Sequence, residues 1–162
     1  MKQKIKERKE LLEIIKDLKA KGKRIVFTNG CFDLLHIGHV RYLEEAKALG
    51  DVLVIGVNSD TSVRELKGPK RPILPEEERA EILSGLGCVD YVTLFDEIDP
   101  LKLITSVRPD VLVKGGDWAK EQIVGKEAVE RSGGEVFIIP FVKKASTSNL
   151  IETILKRYEK SA

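Results

Sequence analysis

Five short apolar runs, each followed by a stretch of helical period, limit what this chain can fold into more than any other feature. Residues 25–27, 52–57, 91–95, 111–113 and 135–139 are rich in β-branched and aromatic side chains and too short for buried helices, so they read as strands apolar on both faces. Strands of that kind separated by amphipathic helices mean a parallel sheet with helices on both sides. The expected class is α/β: a single Rossmann-like, doubly wound domain with a five-stranded parallel sheet, plus an N-terminal helix. Residues 1–23 are read as a helical extension and 24–162 as the main domain.

The helices follow from period and punctuation. Residues 4–21 place Leu11, Leu12, Ile15 and Leu18 on one face and stop at Gly22. After the first strand, Val40, Leu43 and Ala46 share a helix face, with Arg41 and Glu45 four apart on another, where they can pair in solvent. A short helix is expected at 61–66. Pro75 opens another, with Glu76, Glu77 and Glu78 at the favourable dipole end and Ile82, Leu83 and Leu86 facing inward. Further helices are expected at 100–107 and 122–131. The last is capped from Ser146, Thr147 and Ser148 and buries Leu150, Ile151, Ile154, Leu155 and Tyr158.

Ligands of doubly wound sheets bind at the carboxyl ends of the strands, near the point where strand order reverses. The unusual polar sequence falls at such ends: 28–39, 58–71, 114–118 and 143–148. Composition narrows the field further. A length of 162 residues, 42% hydrophobic and 33% charged, is that of one globular domain. Neither a membrane-spanning run nor a signal-peptide core is present, so a cytoplasmic protein is expected. The net charge is +2, but the first 23 residues hold nine basic and four acidic side chains, leaving the body slightly acidic. That is a solvated helix face rather than a nucleic-acid surface. Cys31 and Cys88 form no CxxC pair and no zinc spacing, and read as reduced thiols.

His36 and His39, the chain's only histidines, lie three apart where a strand turns into a helix, so both rings can face one anion. Gly38 between them admits a close ligand. A pair that only caps the helix is the plain alternative. Asp33, His36 and His39 as metal ligands is a second, and Cys31 as a nucleophile a third. Two prolines and a glycine stiffen the loop carrying Lys67, Lys70 and Arg71, which can fold over the first strand and set cations on a phosphate tail; Arg79 can reach the same tail or pair with a glutamate. Ser146, Thr147 and Ser148, preceded by Lys143 and Lys144, make a second phosphate cradle. Gly115 and Gly116 give close backbone approach, Asp117 can accept from ribose hydroxyls, and Trp118 can flank a base. The chain has no GKS/GKT P-loop and no GxGxxG.

The residues 30–39, GCFDLLHIGH, resemble the GxFDxxHxGH signature of the cytidylyltransferase-like nucleotidyltransferases, and 146–148 resemble their second, serine/threonine-rich motif. Within that superfamily TNGCFDLLHIGHVRYL, KGPKRP, RPDVLVKGGDW and STSNLI are most similar to the adenylyltransferase module of bacterial ADP-heptose synthesis. The resemblance implies transfer of AMP from ATP, with magnesium carried on the triphosphate, to D-glycero-β-D-manno-heptose 1-phosphate, releasing pyrophosphate. It implies His36, His39 and Lys70 as catalytic residues. Thr28, Gly30, Phe32, Gly38, Arg79, Gly115, Asp117, Trp118, Ser146, Thr147 and Ser148 are implied on the nucleotide, and Asp33, Asn58 and Lys114 on the acceptor; no resident metal is implied. A homodimer and a separate upstream sugar kinase are implied partners, with neither nucleic acid nor membrane. GTP or CTP as donor, glycerol 3-phosphate as acceptor, and a non-catalytic nucleotide-binding module are the alternatives. Aminoacylation is disfavoured by the lack of a KMSKS-like loop and a tRNA-binding domain.

Overall fold

The computed structural model describes residues 2–116, 122–140 and 146–158. The elements run α1 (Arg8–Ala20), β1 (Ile25–Gly30), α2 (Ile37–Lys47), β2 (Val52–Asn58), α3 (Asp60–Lys67), α4 (Glu76–Ser84), β3 (Tyr91–Phe95), α5 (Leu101–Val107), β4 (Val111–Gly115), α6 (Lys126–Arg131), β5 (Glu135–Ile139) and α7 (Thr147–Tyr158). The five strands form one parallel sheet in the order β3-β2-β1-β4-β5. The chain therefore winds outward from β1 through β2 to β3, then returns to lay β4 on the other side of β1. The reversal lies between β1 and β4, where Val26 pairs with Val111 and Phe27 with Leu112.

Side chains alternate across β1 and divide the core in two. Ile25 and Phe27 pack with Leu11 and Ile15 of α1, Leu103, Ile104 and Val107 of α5, and Val129 of α6. Val26 faces the other way, among Leu43 and Ala46 of α2 and Ala80 and Leu83 of α4. Phe27, Leu43, Leu83, Leu103 and Ile104 are fully buried, each stabilising the fold by ~1.5–3 kcal/mol of transfer free energy.

Several boundaries differ from the sequence expectation for identifiable reasons. The first helix starts at Arg8 rather than residue 4, because Ile5 makes an isolated bridge to Val92 and the Lys6 N–H donates to the Val92 carbonyl at 2.8 Å. α6 starts at Lys126 rather than 122: Ile123 is buried, and Gly125 sits at φ +89° against Ile104, where a Cβ would come within 2.7 Å. On α4, Ile82 is exposed, and the inward face is Arg79, Ala80 and Leu83, so a charged residue occupies a core position. The largest correction is α7. Ile151 is half-buried, but Leu150, Ile154, Leu155 and Tyr158, expected in a buried stripe, are 38%, 51%, 55% and 80% exposed. None of the described elements packs closely over them. Among the described residues, no helix is long and apolar enough to cross a membrane.

Candidate active site

β1 ends at Gly30 and the chain bends over its own carboxyl edge. Phe32 has φ +45°, a left-handed conformation that costs a non-glycine residue of order 1–3 kcal/mol and that clusters at functional sites. Its ring folds back over Gly30, where a Cβ would lie 3.2 Å from the ring edge. The same ring meets His39 at a centroid distance of 5.4 Å, with the planes tilted by 55°. The left-handed turn thus wedges an aromatic ring beneath the second histidine.

His36 occupies the N-cap position of α2, with extended backbone angles, and its side chain makes no capping bond. The capping alternative fails on that geometry. The two imidazoles stack instead, 3.9 Å apart at 25°. Each has a buried Nδ1 with no protein partner among the described residues. Burial lowers the basicity of His36, and burial reinforced by the charge of His36 brings His39 down to about 4. The pair is therefore uncharged at neutral pH and stands over the open first turn of α2, where the helix dipole favours an anion.

The cation loop lies against this turn through Asp33, whose carboxylate has no exposed surface. Asp33 Oδ1 accepts from the backbone N–H groups of Ile73 at 2.8 Å and Leu74 at 3.1 Å, and its Oδ2 accepts from Arg71 Nε at 2.5 Å. Arg71 is thereby committed to holding the loop, while Lys67 and Lys70 are exposed. Asp33, His36 and His39 do not gather as metal ligands: no group of three or more His, Cys, Asp or Glu among the described residues is arranged to hold an ion.

Arg79 is 1% exposed and lies beneath the loops rather than in the open site. It donates to the Cys31 carbonyl at 2.6 Å, the Leu74 carbonyl at 3.0 Å and Asp60 Oδ1 at 2.7 Å. The expected glutamate partner is Asp60. Cys31 has its thiol pKa pushed up, chiefly by burial, which disfavours the thiolate a nucleophile needs.

Thr28 is fully buried and Asn58 is 3% exposed, so both act inside the edge. Tyr42 donates its only hydroxyl proton to the Val113 carbonyl at 3.1 Å, so Thr28 is the donor in the 2.6 Å bond between the two hydroxyls. Asn58 Nδ2 donates to Ser62 Oγ at 2.9 Å. On β4, Lys114 donates to Asn29 Oδ1 across the strand reversal, and burial lowers the Lys114 ammonium to about 8. Gly115 closes β4, and Gly116 continues at φ +118° with its N–H on the Ile139 carbonyl. Asp117, Trp118, Lys143 and Lys144 lie outside the described residues. At the other flank Ser146 Oγ accepts from Asn149 N–H at 3.1 Å, and Thr147 Oγ1 donates to the Leu34 carbonyl at 3.2 Å, tying the start of α7 to the histidine turn. Ser148 is exposed.

Two contributors escaped the sequence reading. Tyr42 stands one turn beyond His39, a spacing that marks it as facing the same side. Asn29 sits among strand residues, where an amide gives no periodic signal.

The sequence pattern of the cytidylyltransferase-like family matches residues 27–155, from within β1 through the other four strands and both polar flanks. The chain belongs to the cytidylyltransferase-like family. Its relatives in that family include the bifunctional protein HldE of Trichlorobacter lovleyi, 58% identical over 155 residues, which cover 96% of this chain and 32% of that protein. The chain thus spans about a third of the length of such relatives. The crystal structure of the lipopolysaccharide core biosynthesis protein from Thermoplasma volcanium is 34% identical, with a TM-score of 0.63 over 76% of this chain and all of that one. Pantoate-β-alanine ligase from Francisella tularensis shares the fold, at 17% identity and a TM-score of 0.57, over 98% of this chain and 81% of that one.

Proposed function

We propose that this cytidylyltransferase-like chain transfers AMP from ATP to the phosphate of heptose 1-phosphate, releasing pyrophosphate and giving ADP-heptose for lipopolysaccharide core synthesis. The observation that carries the reading is the stacked, uncharged His36–His39 pair at the open start of α2. A phosphate oxygen of the acceptor attacks the α-phosphorus of ATP in line; the bond to the bridging oxygen breaks, and its electron pair leaves with pyrophosphate. His36 and His39 donate N–H bonds to the oxygens on which charge accumulates, where preorganised donors contribute most. Lys70, on the loop that Asp33 fastens, meets the departing pyrophosphate. Gly30 and Gly38 admit the triphosphate, Phe32 fixes the second imidazole, and Ser146, Thr147 and Ser148 cradle phosphate from the far side. Gly115 opens the nucleoside pocket, to which Asp117 and Trp118 are assigned. Magnesium arrives with the triphosphate as part of the substrate.

The choice of acceptor rests on the HldE relatives and on the lipopolysaccharide core biosynthesis protein. Release of pyrophosphate, followed with each of the four nucleoside triphosphates against heptose 1-phosphate and glycerol 3-phosphate, tests it. ATP with heptose 1-phosphate is expected to be the productive pair. Turnover confined to CTP and glycerol 3-phosphate would reassign the reaction, and no pyrophosphate from any pair would sink it.

A further inference from the structure

Glu97, in the loop that follows β3, is held twice, by its side chain and by its carbonyl. The carboxylate accepts from Arg8 Nη1 at 2.9 Å and from Arg8 Nη2 at 2.7 Å, a bidentate fork. The carbonyl accepts from Ser62 Oγ at 3.1 Å, in the first turn of α3. The residues before Arg8 run beside β3 and fix its place. Lys4 Nζ donates to the Leu86 and Val89 carbonyls at 3.2 and 2.6 Å, Ile5 bridges Val92, and the Lys6 N–H donates to the Val92 carbonyl at 2.8 Å. This segment therefore climbs parallel to β3 and delivers the guanidinium to the carboxyl end of that strand. A freely exposed ion pair contributes little. Here both side chains are only 29% exposed, and the hydrogen bonds from Arg8 hold the Glu97 carboxyl at about 2, so the pair stays ionised at any ordinary pH.

From Glu97 the bonds continue toward the histidines. Ser62 Oγ also accepts from Asn58 Nδ2 at 2.9 Å, the Ser62 N–H donates to Ser59 Oγ at 3.3 Å, and the Ser59 N–H donates to the Phe95 carbonyl at 2.9 Å. The start of α3 is thereby pinned to the end of β3. On its other side Asp60 accepts from Arg79 at 2.7 Å, and Arg79 donates to the Cys31 carbonyl at 2.6 Å, in the turn that leads to His36. Ser59, Ser62 and Arg79 are all buried, so none exchanges its partner for water without cost.

Taking the adenylyl-transfer reading as its basis, we propose that Arg8 is a positioning residue for the His36–His39 pair, acting through Glu97, the first turn of α3 and Arg79. Arg8 lies outside residues 27–155, which carry the family pattern, in a segment whose charge reads as a solvated helix face. Without the fork, the loop after β3 no longer holds the Glu97 carbonyl against Ser62, and the first turn of α3 relaxes with it. Asp60 then draws Arg79, and with it the Cys31 carbonyl, out of line. Small movements suffice, since a misplacement of about 1 Å from a change far from the chemistry can cost about 100-fold in rate.

The test compares Arg8→Ala, Ser62→Ala and Glu97→Gln in the full chain, by steady-state pyrophosphate release from ATP and heptose 1-phosphate and by proton NMR of the two imidazoles. Arg8→Ala is expected to lower kcat about 5- to 20-fold, with KM for ATP within about twofold, and to displace the His36 and His39 signals. Ser62→Ala cuts the same line while leaving the ion pair intact, and is expected to lower kcat by a similar factor. Arg8→Ala combined with Glu97→Gln falls no further than Arg8→Ala alone, because both remove one link. A merely structural pair lowers the thermal transition but leaves kcat and the imidazole signals of the folded protein unchanged. That result overturns the proposal, as do losses that multiply in the double variant. Arg8→Lys keeps the charge but not the fork, and falls between wild type and Arg8→Ala. It carries the comparison should Arg8→Ala fail to fold, and wild-type kcat and signals in it would then overturn the role. The NMR readout needs no turnover, so the two readings fail separately. Displaced imidazole signals in Arg8→Ala and Ser62→Ala, beside a wild-type chain that releases no pyrophosphate, refute the adenylyl reading alone. Wild-type turnover, with kcat and imidazole signals unchanged in both variants, refutes the positioning role alone.

Discussion

Arg79 donates a 2.6 Å hydrogen bond to the carbonyl oxygen of Cys31, from a guanidinium that solvent does not reach. The bond joins α4 to the turn that carries the histidines, and two further bonds from the same group reach Leu74 and Asp60. Arg79→Ala leaves Asp60 and two carbonyls without their donor in a buried setting. Chemical denaturation is expected to show a loss of about 3–5 kcal/mol, the scale of breaking a buried pair. A loss below about 1 kcal/mol would mean that the guanidinium is dispensable to the fold.

Asp33 governs the cation loop through its three acceptor contacts. Asp33→Asn removes the charge and replaces one oxygen with a donor facing donors. Losing charge-assisted bonds of about 1.5–3 kcal/mol is expected to free the loop and lower kcat/KM for ATP about 10- to 100-fold. Proteolysis between residues 67 and 75 should quicken in parallel. A variant with wild-type kinetics and wild-type resistance to cleavage contradicts the fastening role.

The histidines have a pH signature of a definite sign. His39 titrates near 4 when folded, against an ordinary 6.5. As pH falls through that window, the unfolded chain takes up a proton that the folded chain resists. This contribution to stability is complete above about 6.5 and lost on acidification toward 4. A bound triphosphate favours the charged imidazole, so nucleotide binding should raise the His39 midpoint and draw in protons. Proton NMR of the imidazole, with and without magnesium ATP, measures this directly, and an unmoved or lowered midpoint argues against phosphate contact.

Replacing either histidine by alanine is expected to lower turnover about 100- to 1000-fold with the fold intact, since each stands over the turn without capping it. The thermal transition should move little while steady-state pyrophosphate release collapses. Retained turnover in both variants would leave the stacked pair without a chemical role.

Tyr42→Phe tests the support beneath that pair. The change deletes the hydroxyl that links Thr28 to the Val113 carbonyl and leaves both buried groups short of a partner, costing about 1–3 kcal/mol. Because the hydroxyl also sets the height of α2 on the sheet, kcat is expected to fall more than KM for ATP rises. A purely structural role would lower stability alone.

The architecture was legible wherever short-range chemistry and tertiary packing agree. The strands Tyr91–Phe95 and Glu135–Ile139 fall where the apolar runs place them, because polar or glycine-bearing segments flank both runs. The histidine turn declared itself through spacing, and the sheet-edge rule gathered the other polar segments around it. What stayed hidden were residues whose partners lie far along the chain. Arg79 reads as a cation for the phosphate tail or a partner for a glutamate, and only the facing carbonyls of Cys31 and Leu74 make a core site for it. Asp33 reads as a metal ligand because a carboxylate beside histidines suggests one, and the family resemblance implies it on the acceptor, whereas its oxygens bind amides 40 and 41 residues away and Arg71. The stripe on α7 has the period of a buried face, but period records what a helix could cover, not whether anything covers it.

The position of β1 also dictates an order of assembly. Its pairing with β2 closes over a short span of chain, but its seam with β4 joins residues 85 positions apart, Val26 to Val111. During synthesis the histidine turn leaves the ribosome long before the strand that supplies Lys114. For that interval, on the order of several seconds at ordinary elongation rates, the nascent chain holds one wall of the cleft without the other. The proposed nucleotide site is thus completed late, when the fourth strand slides into the gap beside the first.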